Sequence, residues 1–326
     1  MTIFVKTRLE SSDYRELRYR VTPFKSAGIY PRGTFANETG LFHADDDVVF
    51  AVTFCATWRA QEDLPYSEVN WMHPGLVRML GSLMFCEQFA EGKRCWFSPV
   101  MHSDLILSND SLDLCDTDVF NGLRNIVVKE SAFSSPSVQS EKDESSHKSG
   151  YLFEPKGELD ILMRERYWKC IQPSNRLVMR GIHALIKCDM LALHPEFQEE
   201  AAISSFIALD AAYELVRRHL IQLGVANPSS SDAAAWFHNT FDGPMGLPEP
   251  DGQGFFADFY PQRIQTLHPG SRYGDAPFAA IAIDDRIHLR QALPGLFAYL
   301  ISGEYSPHYA KNLAKHRAAT TTSSSS

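Results

Sequence analysis

Residues 134–149 read SSPSVQSEKDESSHKS, and they constrain the fold more than any other stretch. Seven serines, mixed charges and no aromatic residue leave too little apolar surface to repay the entropy of ordering. The segment is expected to be a linker or a long surface loop that divides the 326-residue chain. The expected organisation is a mixed α/β domain over 1–133, a flexible linker over 134–150, a helical domain over 151–310, and a disordered tail over 311–326. That is an α+β protein with an all-α second half.

The first part carries its clearest strand signal at Val48–Phe54, a β-branched and aromatic run behind three aspartates. Residues 1–9 and 95–107 are weaker strand candidates. Pro74 opens a helix expected to run to about Ala90, with Gly92 as its stop. After the linker the pattern turns helical. Apolar residues recur at helical spacing over Glu158–Ile171, Asn175–Leu193 and Glu199–Leu223. In the last of these, Phe206, Leu209, Tyr213, Val216 and Leu220 form one stripe, and Gly224 closes it. Asp210, Glu214, Arg217 and Arg218 lie three or four apart on its other side, a spacing for intrahelical ion pairs. Residues 226–254 read as a long Pro/Gly/Ser loop in which Trp236, Phe237 and Phe241 pack down. A short helix is expected over Phe255–Leu267, and a last one from Asp284–Asp285, kinked at Pro294.

Charge and cysteine usage narrow the function. The net charge is −9, with both halves acidic, so neither has the basic surplus of an obligate nucleic-acid binder. Any RNA or DNA contact must come from a local basic patch. No apolar stretch is long enough to span a membrane, and residues 1–25 show no signal-peptide core. A soluble protein of the cytoplasm, with its six cysteines reduced, is expected. His183 with Cys188, and His43 with Asp45 and Asp47, are the only groupings that hint at a metal, and neither has the tight spacing of a zinc site. The chain has no P-loop, GxGxxG, GxSxG or HExxH pattern, which removes the common nucleotide-hydrolysing, dinucleotide, serine-hydrolase and zincin assignments.

One constellation carries chemistry. Phe259-Tyr260-Pro261-Gln262-Arg263-Ile264-Gln265-Thr266-Leu267-His268-Pro269-Gly270 places Arg263 and His268 with four residues between them at the end of a short helix in the helical half. Arg176 and His183 have a similar spacing, without that context. The segment resembles the R-x4-6-H signature of the HEPN family, in which an aromatic precedes the arginine and a glycine follows the histidine. Tyr260, Arg263, Leu267, His268 and, one place late, Gly270 follow that outline. Glu214-Leu215-Val216-Arg217-Arg218 is similar to the acid-then-basic run of the family's upstream helix. The resemblance covers about residues 155–305 and leaves 1–150 unexplained. Two positions depart from it. Ile264 stands where active members commonly carry Asn, Asp or His, and Pro261 is expected to make the helix begin late.

The resemblance implies a metal-independent endoribonuclease without a cofactor, with Arg263 and His268 catalytic and Glu214, Arg217 and Arg218 supporting. Histidine suits proton transfer near neutral pH, and the arginine fork suits a phosphate. The two lie about 140° apart around a helix, so the family's paired arrangement, a homodimer with a composite cleft, is implied here too. RNA or a nucleotide would be the partner, and a toxin or anti-phage role a natural setting, with the first part recognising or regulating. The alternatives are a non-catalytic HEPN module that binds nucleotide, RNA or protein, and an unrelated α+β protein. Taken alone, Arg263 is a helix-surface arginine facing an acid, and His268 a helix C-cap.

Overall fold

A computed structural model describes residues 5–6, 17–56, 72–87, 94–100, 105–107, 111–134, 151–155, 157–248, 254–267 and 283–323. The chain divides into two compact units, Met1–Glu87 with Lys93–Pro173, and Gln88–Gly92 with Ser174–Ser326. It is α+β, a sheet unit followed by a helical one.

The first unit is built on strands β1 (Val5–Lys6), β2 (Leu17–Pro23), β3 (Ile29–Pro31), β4 (Gly33–Asn37), β5 (Gly40–Ala44), β6 (Val49–Ala56), β7 (Leu105–Leu107) and β8 (Tyr151–Phe153). Six of them form an antiparallel sheet in the order β1-β7-β2-β6-β5-β4, and β3 pairs separately with β8 in parallel. The strand expected at 48–54 is β6, paired residue for residue with β2 from Val21↔Val52 outward. Asn37 turns the chain between β4 and β5, its Oδ1 accepting from the Thr39 amide at 3.0 Å. The candidate at 1–9 is described only at β1. That at 95–107 contributes β7 and isolated bridges at Trp96 and Pro99.

Alternation along the strands gives the sheet two apolar faces. Tyr19, Val21, Leu41, Phe50 and Val52 join Val119, Leu123 and Val127 in one core. The last three belong to α2 (Thr117–Ser134), whose first turn is capped by Asp116 Oδ1, 2.7 Å from the Asp118 amide and 3.1 Å from that of Val119. Helix α1 (Pro74–Glu87) covers residues of the opposite alternation, where a side chain on Gly75 would meet Thr53. Helix α3 (Glu158–Cys170) packs on α1. Arg78 lies 4.3 Å over the Trp168 ring and donates to the Trp168 carbonyl at 2.9 Å, and Phe85 meets Tyr167 edge-on at 5.9 Å.

The division between units therefore falls after Pro173, not at the serine-rich segment. Helix α3 forms where expected, though Ile161 and Leu162 are exposed, and its buried Tyr167 and Trp168 are part of the sheet unit. The described part of the expected linker is Ser134, the last residue of α2; residues 135–150 lie outside the described residues.

The second unit contains α4 (Arg176–Ala192), α5 (Gln198–Gln222), α6 (Ser230–Phe237), α7 (Phe255–Leu267), α8 (Ile283–Ser302) and α9 (Pro307–Ser323). Asn175 caps α4 through the Val178 amide, and a short 3-10 turn, Pro195–Phe197, folds α5 back along α4. Helix α8 packs on both. Asp189 of α4 and Arg290 of α8, each 1% exposed, form a two-point ion pair at 2.6 and 2.7 Å in that core. Pro294 lies within α8.

Two expectations change here. Residues 226–254 include real helix. Ser229 and Asp232 make a reciprocal capping box that starts α6, and α6 runs into a π turn at His238–Asp242. Residues 311–323 belong to α9 and are not a free tail. Tyr309 donates to the Phe241 carbonyl and Tyr305 to that of Thr240 at 2.8 Å, which satisfies backbone acceptors left at the π turn.

Candidate functional site

Helix α7 is positioned by aromatic packing. Phe255 stacks on Phe237 of α6 at 4.5 Å, Phe256 meets Tyr213 of α5 at 5.8 Å, and Phe255 and Phe259 flank His288 of α8 at 5.8 and 5.6 Å. Phe256 and Phe259 are buried. These contacts anchor the first turns, so the helix starts at Phe255 and continues through Pro261. The late start expected from that proline does not occur. A proline in the interior removes one backbone hydrogen bond, and the anchored aromatics before it, with the Arg263–Asp210 ion pair after it, hold the helical path.

The arrangement brings Arg263 of α7 to α5. Its Nε lies 2.6 Å from Asp210 Oδ1 in an ion pair, with the arginine side chain 23% exposed. One turn further along α5, Glu214 contacts Arg217 at 2.9 Å and Arg218 at 3.1 Å. Four of the expected site residues, Arg263, Glu214, Arg217 and Arg218, thus share one stretch of α5 and the helix laid on it. A carboxylate at Nε fixes the plane of the Arg263 guanidinium. His268 and Gly270 lie outside the described residues.

Asp210, grouped by spacing with the intrahelical pairs of α5, pairs instead with Arg263 of another helix. Its signal was present: it precedes Glu214 by four residues and so shares its face. Nothing in a linear pattern says that α7 crosses α5 at that turn.

The groupings considered for a metal are occupied by protein. His43 Nε2 contacts Asp45 Oδ2 at 2.8 Å, while Arg124 reaches Asp45 at 2.8 Å and Asp47 at 2.5 Å. His43 Nδ1 also lies 2.8 Å from Thr34 Oγ1. Partial burial opposes ionisation of Asp45, but hydrogen bonds from Arg124, His43 and the Asp47 and Val48 amides outweigh it and hold the carboxyl well below its usual range. His183 and Cys188 lie five positions apart on α4, about 140° around the helix. Burial, then the charges of Lys187 and Arg180, lower the His183 imidazole to about 4. Burial, then the charge of Asp189, raises the Cys188 thiol to about 11. Among the described residues no group of three or more His, Cys, Asp or Glu side chains is arranged to hold a metal ion, and no helix is long and apolar enough to cross a membrane.

Comparison of the chain with protein-family models, curated proteins and solved structures returns no match.

Proposed function

We propose that the helical unit is a HEPN-like, metal-independent endoribonuclease acting in the cytoplasm as a homodimer, as a toxin or anti-phage effector, with the sheet unit recognising or regulating. The observation that carries this reading is the seating of Arg263. It sits on the short helix α7, oriented by Asp210, beside the α5 run of Glu214, Arg217 and Arg218.

In this reading the guanidinium of Arg263 grips the scissile phosphate and stabilises charge that builds in the transition state. His268, one residue beyond the helix end, handles protons. The ribose 2′-OH attacks phosphorus and gives its proton to a base. The bond to the 5′ oxygen breaks, and that oxygen takes a proton from an acid. The products are a 2′,3′-cyclic phosphate and a 5′-hydroxyl. No metal or cofactor enters the balance. With base and acid on opposite sides of the phosphorus, the histidines of two copies supply the two roles.

A second reading is favoured by the same ion pair. Asp210 neutralises Arg263, and Ile264 follows the arginine, which suits a non-catalytic module that binds nucleotide, RNA or a protein. Incubation of a mixed RNA pool with the protein in EDTA separates the two. The nuclease reading expects cleavage that is lost in both Arg263→Ala and His268→Ala. No cleavage by folded, dimeric protein favours the binding module, and cleavage that survives both substitutions places the chemistry elsewhere.

A further inference from the structure

Helix α4 carries Arg176, Arg180, His183 and Lys187. Intervals of four, three and four residues put all four within a sector of roughly 60°. Val178, Ile182, Leu185 and Asp189 face the opposite way and are buried. The row extends roughly 16 Å along the helix axis. Arg176 and Arg180 are exposed, while His183 and Lys187 are half-buried.

Among the described residues, no carboxylate pairs with any of the four. The one acidic residue of α4 is Asp189, on the buried side and held by Arg290. The electrostatic neighbours of His183 and Lys187 are instead cations: Arg180 and Lys187 act on His183, and Arg180 on Lys187, in each case after burial. Like charges one turn apart disfavour a helix by a few tenths of a kcal/mol per pair. Elsewhere, Arg32 is paired with Asp46 and Arg218 with Glu214. Three cations on one helix face, with no described carboxylate paired to them, are the footprint of a polyanion.

We propose that the α4 row is a track for the sugar–phosphate backbone of single-stranded RNA. Its three cations, Arg176, Arg180 and Lys187, are separated by about 6 and about 10.5 Å along the axis, so one strand can meet all three through phosphates a few nucleotides apart, with the neutral His183 between them. Among the described residues, no exposed large apolar side chain lies on α4, so the helix lacks the face that an anionic membrane surface requires. The choice of RNA as the polyanion rests on the ribonuclease reading, whereas the track itself does not depend on Arg263 or His268.

The test measures binding of a fluorescein-labelled single-stranded RNA of mixed sequence to the full chain carrying His268→Ala, by anisotropy across a KCl series. Each phosphate neutralised on a single strand contributes about 0.7 to the slope of log K against log salt. Adding Arg176→Gln, Arg180→Gln and Lys187→Gln is expected to reduce that slope by about two and to weaken binding at least tenfold near physiological salt. Lys311→Gln with Lys315→Gln on α9 is expected to leave both unchanged. If the Lys187 substitution lowers the melting temperature, the exposed pair Arg176→Gln/Arg180→Gln is used alone, with a slope loss of about 1.4 expected.

No RNA binding by the parent protein, or a slope that the α4 substitutions leave unchanged, overturns the proposal. So does binding to phosphatidylserine vesicles that depends on the row while RNA binding does not. The two readings fail separately. RNA held through α4 by a protein that never cuts leaves the track and removes the nuclease. Cutting by the otherwise native chain, with RNA binding indifferent to α4, does the reverse.

Discussion

Asp189 and Arg290 are invisible as a pair in the sequence, 101 positions apart, yet they are the most completely buried opposite charges in the helical unit. Removing one partner strands the other in an apolar core. Asp189→Asn is therefore expected to cost about 3–5 kcal/mol in urea unfolding, and Asp189→Leu with Arg290→Met to recover most of it. Asp45 makes a prediction of a different kind. Its folded-state carboxyl is held below the ordinary range by Arg124 and His43 against the effect of burial. It therefore contributes stability that is complete above the unfolded-state value, about 4, and is lost as pH falls toward the folded value. The stability gap between the native chain and Asp45→Asn is expected to be widest at pH 5–7 and to shrink steadily toward pH 2. Unfolding midpoints at a series of pH values measure it. The candidate site shows how much of such chemistry a sequence exposes. Spacing along α5 put Glu214 beside Arg217 and Arg218 before any coordinates. It could not join Asp210 to Arg263, because that contact depends on how two helices cross.

Helices with a single apolar stripe were legible because burial on one side leaves a period in the sequence. That holds for α4, α5 and α7. The elements that escaped were held by other means. Helix α6 is eight residues long, too short to show a period, and begins at a capping box. Helix α9 is mostly exposed and is tied down by two tyrosine hydroxyls and Leu313. Helix α2 is started by a cap at Asp116, a signal local to one residue, and stands directly before the serine-rich run in the sequence. The crossing of α4 and α8 offers a direct test of packing against propensity. Alanine at Gly181 would favour an exposed helix by about 1 kcal/mol, but here its Cβ would lie 2.2 Å from the Phe297 ring. Gly181→Ala is expected to destabilise by about 1–3 kcal/mol, and Gly181→Ala with Phe297→Leu to lose less than either effect added. Thermal or urea unfolding of the four proteins decides it.

For the whole molecule, each unit carries a buried cysteine outside any disulfide, Cys95 in the sheet unit and Cys188 in the helical one, while Cys115 is exposed. Cys115 is expected to react with a thiol reagent at once. Cys95 and Cys188 are expected to stay protected until their units open, which makes their labelling rates in increasing urea a separate stability measurement for each unit. Mass spectrometry of the labelled peptides reads both, and rapid native labelling of Cys188 would contradict its burial. The α+β class was legible from the change in pattern along the chain. The dividing point was not, because a polar insert and a domain boundary have the same composition, and only the packing of Tyr167 and Trp168 tells them apart. The parallel pairing of β3 with β8 has a consequence for biosynthesis. Ile29–Pro31 leave the ribosome more than a hundred residues ahead of Tyr151–Phe153, and α1 waits about seventy residues for α3. During that interval the apolar surfaces of β3 and α1 are uncovered. The first half of the nascent chain is thus a client for chaperones until translation has passed Pro173.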